Sequence, residues 1–210
     1  PEPPAQSPER WIPTTLTYDD FGNVKTVKDA LDRTTTNTYD ATGTYLTEIK
    51  NIIGHTRQLA YDFRTGQVTS STNQNGVIAK TTFDALGRTT HTSFVDPATK
   101  VEVITSRIAY DPCLSTARCT PPLRTTTTVY PQPNHPSPII QHQFVDGLGR
   151  TLQTRSPAEA SGKQIVTGVV EFNRRGLVAK QWVPYVSNVS SSHVPLSREP
   201  SASSLAVVQY

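Results

Sequence analysis

The feature that most constrains this chain is a short motif that returns along it: an aromatic residue, an aspartate, two or three variable residues and a glycine. In chain order it reads TYDDFGN, TYDATGT, AYDFRTGQ, TFDALGR, AYDPCLS, FVDGLGR and EFNRRGL. The aromatic falls at Tyr18, Tyr39, Tyr61, Phe83, Tyr110 and Phe172, with Val145 standing in at the sixth place. The first three intervals are 21, 22 and 22 residues, and the later ones stretch to 27, 35 and 27. A weaker echo lies about midway in each early unit: DALDR at 29–33, NIIGHTR at 51–57 and NQNG at 73–76. A unit this short cannot bury a hydrophobic face alone and must stack on its neighbours.

Each unit reads as strand, turn, strand, turn. The Asp after the aromatic can accept hydrogen bonds from backbone N–H groups two residues on, as an Asx turn does. The Gly that follows can take φ > 0 without a Cβ penalty, as a tight hairpin needs. The corner residues are Tyr18, Asp19 and Gly22; Tyr39, Asp40 and Gly43; Tyr61, Asp62 and Gly66; Phe83, Asp84, Gly87 and Arg88; Asp146, Gly149 and Arg150; and Phe172 with Gly176. Between corners run segments of roughly seven residues, or about 23 Å of extended chain. Threonine is abundant there, and its β-branch suits a pleated surface. Pro and Thr interrupt every candidate 3.6-residue apolar period, so no helix is expected. The expected fold class is all-β.

Composition bounds the function. Hydrophobic residues make up only 35% of the 210, and the net charge is +3 with both signs scattered. Despite the basic sequence pI of about 9.0, that distribution gives no dedicated nucleic-acid footprint. No apolar run approaches the ~20 residues of a membrane-spanning helix, so no membrane span is expected. The chain contains no methionine, and PEPPAQSPER at its start has the composition of an extended linker. The expected organisation is a Pro-rich linker at 1–13 and a repeat segment at 14–187, with an insertion at about 111–140. A Ser/Pro-rich connection at 188–210 ends in the strand of a further repeat, as in a piece of a longer polypeptide.

The repeat of Tyr-Asp-x-x-Gly-Arg with its midway echo resembles the Rhs/YD-repeat family, most clearly in FDALGR at 83–88 and ALDRTTTNTYD at 30–40. The later block QFVDGLGRTLQTRSPAEASGKQIVTGVVEFNRRGLVAKQWVPYVS, 143–187, resembles the B and B–C components of bacterial ABC-type (Tc) toxin complexes and SpvB-like proteins. The resemblance implies a β-spiral that closes into a cocoon-like shell. It also implies a function, the encapsulation and delivery of a C-terminal cytotoxic effector from a secreted protein. The implied partners are the rest of the parent chain and shell, the enclosed effector, and a pore-forming toxin-complex subunit. The alternative is a YD-repeat adhesion or carbohydrate-binding protein of the cell surface or wall.

Candidate chemistry is sparse. Cys113 and Cys119 lie five residues apart within the insertion and read as a loop disulfide or two free thiols. A zinc site with His135 and His142 is disfavoured, because six residues with two prolines separate the histidines. His55, His91 and His193 read as surface or turn residues. The corner aspartates recur because the turn recurs, whereas a catalytic pair would be unique. Arg33, Arg88 and Arg150 read as partners of a corner Asp or a neighbouring aromatic. Shells of this family carry an aspartyl self-cleavage element with an Asp-Pro-x-Gly sequence. Asp96-Pro97 and Asp111-Pro112 lack that glycine, so the activity is not carried over. No enzyme activity and no cofactor are expected.

The turn reading makes a direct prediction. Gly87 and Gly149 take φ > 0, and Gly87→Val lowers stability by about 1–3 kcal/mol through backbone strain. Circular dichroism melting checks it; an unchanged midpoint would mean that no left-handed turn is present.

Overall fold

The computed structural model of the chain describes residues 12–111, 122–132, 137–195 and 198, and the backbone of 207–209. Among these residues seventeen β-strands form and no α-helix. Fourteen strands follow one another in hydrogen-bonded order, β1 through β13 and then β16, and β14, β15 and β17 make a second sheet. The chain is all-β, as its turn-punctuated, Thr-rich segments require. Two compact units divide it, residues 1–81 with 94–102 and residues 82–93 with 103–210.

The first unit is built from β1 (Thr15–Tyr18), β2 (Val24–Lys28), β3 (Thr34–Tyr39), β4 (Leu46–Lys50), β5 (Thr56–Asp62), β6 (Gln67–Thr72) and most of β7 (Ile78–Phe83). Successive strands pair antiparallel, and the register decides what each face presents. Thr17, Thr26, Thr36, Lys50 and Thr56 form one continuous cross-strand row. On the opposite face Leu16 pairs with Val27, Asn37 with Ile49, and Leu59 with Ser71. No described residue of this unit is buried. One sheet layer has solvent on both sides here, and cross-strand pairs together with the turns hold it.

The register also carries a repeated irregularity. Five of the YD corners are preceded by a register shift: Thr17/Tyr18, Thr38/Tyr39 and Ala60/Tyr61 in the first unit, Phe144/Val145 and Glu171/Phe172 in the second, whereas Tyr110 pairs with Thr125 in unbroken register. The partner strand carries the extra residue, a β-bulge that increases local right-handed twist. The pairs joined by the midway turns, β2 with β3, β4 with β5 and β6 with β7, keep continuous register. The two edges of this array therefore differ in strand register.

The second unit holds β8 (Thr89–Val95, in part), β9 (Glu102–Tyr110, in part), β10 (Leu123–Val129), β11 (Ile139–Val145), β12 (Thr151–Pro157), β13 (Lys163–Thr167), β14 (Val170–Phe172), β15 (Val178–Trp182), β16 (Tyr185–Asn188) and β17 (Val207–Gln209). Strand β10 lies inside the interval 111–140 that the sequence suggests is an insertion. This strand is hidden in the sequence by the prolines that flank LRTTTTV. Within this unit one sheet face is covered. Register aligns Arg124, Phe144 and Gln153 in one row, and His142, Arg155, Val166 and Tyr185 in the next. Phe144, Gln153, Arg155 and Val166 are almost wholly buried, and Val166, Val169 and Tyr185 with Trp182 form the apolar core. Residues 1–11 of the linker expected at 1–13, together with Cys113, Cys119 and His135, lie outside the described residues.

Gly87 and Gly149 have φ of 77° and 78°. Two corners place a side chain where a glycine normally sits, Asp32 at φ 61° and Lys100 at φ 58°. Asp tolerates the left-handed region through local hydrogen bonding, whereas Lys has no such compensation. Lys100→Gly is therefore expected to raise stability by about 1 kcal/mol, and Asp32→Gly by less. Urea denaturation of the two variants checks the order.

Candidate functional site

The corner is a hydrogen-bond circuit closed on one carboxylate. At Asp84 the backbone N–H donates to Arg88 O at 2.9 Å, and Gly87 N–H donates back to Asp84 O at 3.0 Å. Oδ1 of Asp84 accepts from the N–H groups of Leu86 and Arg88, both at 2.9 Å. Oδ2 is left for the Arg88 side chain, whose Nε donates to it at 2.7 Å. Asp146 repeats this with Leu148 and Arg150, and Asp29 with Leu31 and Arg33. Asn73 and Asn173 supply the same pair of backbone acceptances without a charge. Asp29 and Asn73 belong to midway turns, so both edges use one device. Asp40, Asp62 and Asp96 close slightly longer versions.

Corners also reach one another. The Tyr39, Tyr61 and Tyr110 hydroxyls donate to the carbonyls of Val24 at 3.3 Å, Leu46 at 2.9 Å and Thr89 at 3.0 Å. Each acceptor is the first strand residue after the preceding YD corner. The residue that leaves one corner covers the next. Tyr45 lies 4.8 Å from the Tyr61 ring, Arg88 lies 4.1 Å above Tyr110, and Arg150 lies 3.9 Å above Phe172. Each cation–ring contact at such partly exposed sites is worth about 0.5–1 kcal/mol. The Asn23 side chain donates to Gly43 O at 2.7 Å, and Phe21 packs so closely that a Cβ on Gly43 would lie 2.5 Å from its ring. Gly43 thus serves a positive φ of 68° and a close approach at once. All eighteen corner residues read from the sequence lie at or beside turns.

A second constellation was not legible as one in the sequence. Residues 190–195, expected as part of a connection, lie on the covered face of the second unit, just after Asn188 ends β16. Side chains from three strands grip their backbone. Arg124 Nη1 donates to Ser191 O at 2.8 Å, and Arg155 Nη1 donates to Asn188 O at 3.2 Å. Gln153 both donates to Val194 O at 3.1 Å and accepts from Val194 N–H at 3.3 Å. Gln164 Oε1 accepts from Ser190 N–H at 2.9 Å. Arg155 is 0% exposed, and its Nε donates to Gln153 Oε1 at 3.0 Å. Buried groups of this polarity persist only when hydrogen-bonded. His142 lies in the same row, bonded through Nδ1 to the Thr126 hydroxyl at 3.0 Å. His193, expected at the surface or in a turn, is half-buried with its ring 5.7 Å from Phe144. The alternation HQF and QTR does carry a signal for an inward polar set, but one that looks the same as an outward polar face.

Among the described residues no group of three or more His, Cys, Asp or Glu is placed to hold a metal ion. The ordered carboxylates instead affect acid stability. The N–H of Arg88, acting against partial removal from water and joined by the Arg88 side chain, holds Asp84 below the ordinary carboxylate range. At Asp146 the loss of water pushes upward, but the N–H and side chain of Arg150 and the N–H of Leu148 outweigh it and the pKa is lowered. A folded pKa below the unfolded value of about 3.9 means stability that is present above about pH 4. It is lost as pH falls through the lowered folded value. The double variant Asp84→Asn with Asp146→Asn keeps the oxygen that accepts the backbone N–H groups, gives up the acceptor for the Arg88 and Arg150 side chains, and removes the titration. It is expected to lose less stability than the unaltered chain between about pH 4 and pH 2, as read by urea denaturation at stepped pH.

Comparison with known proteins places this geometry. Residues 118–208, which include the whole gripped face, match the model of DUF6443, a domain of unknown function. No curated protein matches the chain. The crystal structure of TcdB2-TccC3 matches with a TM-score of 0.66 at 19% identity, over 82% of this chain and 11% of that one. TcdB2-TccC3 without its hypervariable C-terminal region gives 0.67 at 16% identity, over 82% and 13%. The Photorhabdus luminescens Tc holotoxin pore, carrying a TccC3 mutation, gives 0.64 at 16%, again over 82% and 13%. This chain thus spans only 11% to 13% of those chains' length. At such identities the likeness is one of fold, and it supports the resemblance carried by the repeats: the chain has a strand array like that of TcdB2-TccC3.

Proposed function

We propose that this chain is a wall segment of a large, secreted Rhs/Tc-type toxin protein, which encloses a C-terminal cytotoxic effector and helps to deliver it. The observation that carries the reading is the corner circuit. It recurs at both edges of a sheet whose strands succeed one another in order, in a fold like TcdB2-TccC3 over 82% of the chain. Such an array extends by adding units and holds its shape through local turns, which suits a wall. On this reading the corner residues are structural and the segment has no catalysis of its own. Its partners are the remaining wall of the parent chain, the enclosed effector and a pore-forming subunit of the complex. The likeness to the Tc holotoxin pore supports a partner of that kind.

Electron microscopy of the full-length parent protein, paired with limited proteolysis, tests the proposal. The expected result is a closed hollow particle in which the polypeptide downstream of the shell resists a protease that digests it readily when it is expressed alone. An open or extended particle, or a downstream region cut equally fast in both contexts, would overturn it.

A further inference from the structure

The grip on residues 190–195 and on Asn188, the last residue of β16, has two chemically different parts. The contacts of Gln153 and Gln164 with the backbone of Ser190 and Val194 involve no titrating group. The arginine contacts, from Arg124 to Ser191 O and from Arg155 to Asn188 O, keep their charge at any physiological pH. Between them, two imidazoles flank one phenyl ring. His142 on β11 lies 6.5 Å from Phe144 at an interplanar angle of 46°, and His193 on the covering segment lies 5.7 Å from it, edge-on at 67°. His142 is only 9% exposed. The described charged groups facing the rings are Arg124 from β10 and Arg155 from β12. Asp111, at the corner before β10, is held by Arg124 Nη2 at 3.1 Å.

We infer that residues 190–195 form an acid-sensitive latch on this sheet face, closed while His142 and His193 are neutral and released when they take up protons. The chemistry is electrostatic and steric. Protonation adds two positive charges beside the guanidinium groups of Arg124 and Arg155, against an apolar ring. His193 can escape that environment only by leaving the face with the segment that carries it. Loss of water and the nearby Arg155 lower the His193 pKa from its ordinary value, and loss of water with Arg124 and Arg155 does the same for His142. For a histidine whose folded pKa is lowered, closure is fully favoured above the unfolded value of about 6.5. It weakens as pH falls from there toward the folded pKa. The latch lies within the second unit and does not depend on what the parent protein encloses.

Hydrogen exchange of the Ser190 and Val194 amides in the full chain tests this, because those N–H groups donate to Gln164 and Gln153 only while the segment is closed. After correction for intrinsic exchange, opening is expected to increase at least about tenfold between pH 7.5 and pH 5, a change of one pKa unit's worth. The strand amides of β12 and β13 should stay protected. His193→Gln, on the covering segment, and His142→Gln, in the sheet, should each flatten the response. If His142→Gln fails to fold, His193→Gln alone decides. Protection of Ser190 and Val194 that does not change with pH would overturn the latch. So would an undiminished pH response in His193→Gln.

Discussion

Everything in this chain depends on one oxygen accepting two backbone N–H groups. Oδ1 of a corner Asp or Asn takes the amides two and four residues ahead, and the reversal it fixes sets where each strand begins. A hairpin is marginal in water, and a sheet one layer thick with no buried residue, as in the first unit, adds little hydrophobic free energy. Local circuits therefore carry a larger share of the stability than a core does. Their cost is backbone strain, which glycine relieves at most corners and Asp32 and Lys100 do not.

The second unit meets the opposite problem. Its face is covered, so every polar group placed there must be matched, and the solution is to let side chains of the sheet bond the backbone of the covering segment. Gln153 does so with both ends of its amide. Glutamine and arginine suit this task because they reach across a sheet-to-chain gap too wide for a main-chain ladder. The result is a buried surface that is polar and bonded to the segment that covers it. It contrasts with the apolar cluster of Val166, Val169 and Tyr185 beside it.

How much of this was legible in the sequence follows from the range of each interaction. The corners could be read because Asp, Gly and Arg act on neighbours within five residues, so Asp84, Gly87 and Arg88 announce their geometry locally. The stacking of Arg150 on Phe172 was half legible, since the repeat suggested a partner but not which ring. The Asp96 turn was not, because Lys100 holds the left-handed position without a glycine to mark it. The gripped face lay furthest from view. Gln153 and Val194 meet across 41 residues, and a polar residue facing inward alternates in the same way as one facing water. Strand β10 was masked by its flanking prolines, whose turn signal outweighs four threonines in a row.

The corner at Asp111 shows what such a circuit permits. Its N–H donates to Arg124 O at 2.9 Å and its carboxylate takes the Arg124 amide and guanidinium, as Asp84 does with Arg88. Yet twelve residues separate Asp111 from Arg124, where three separate Asp84 from Arg88. The clasp is indifferent to what hangs from it, because the cost of closing a longer loop grows only with the logarithm of its length. Strands β9 and β10 keep their pairing regardless. Such corners are splice points: new sequence can enter there, carrying whatever surface chemistry it brings, without the sheet on either side losing a single pairing.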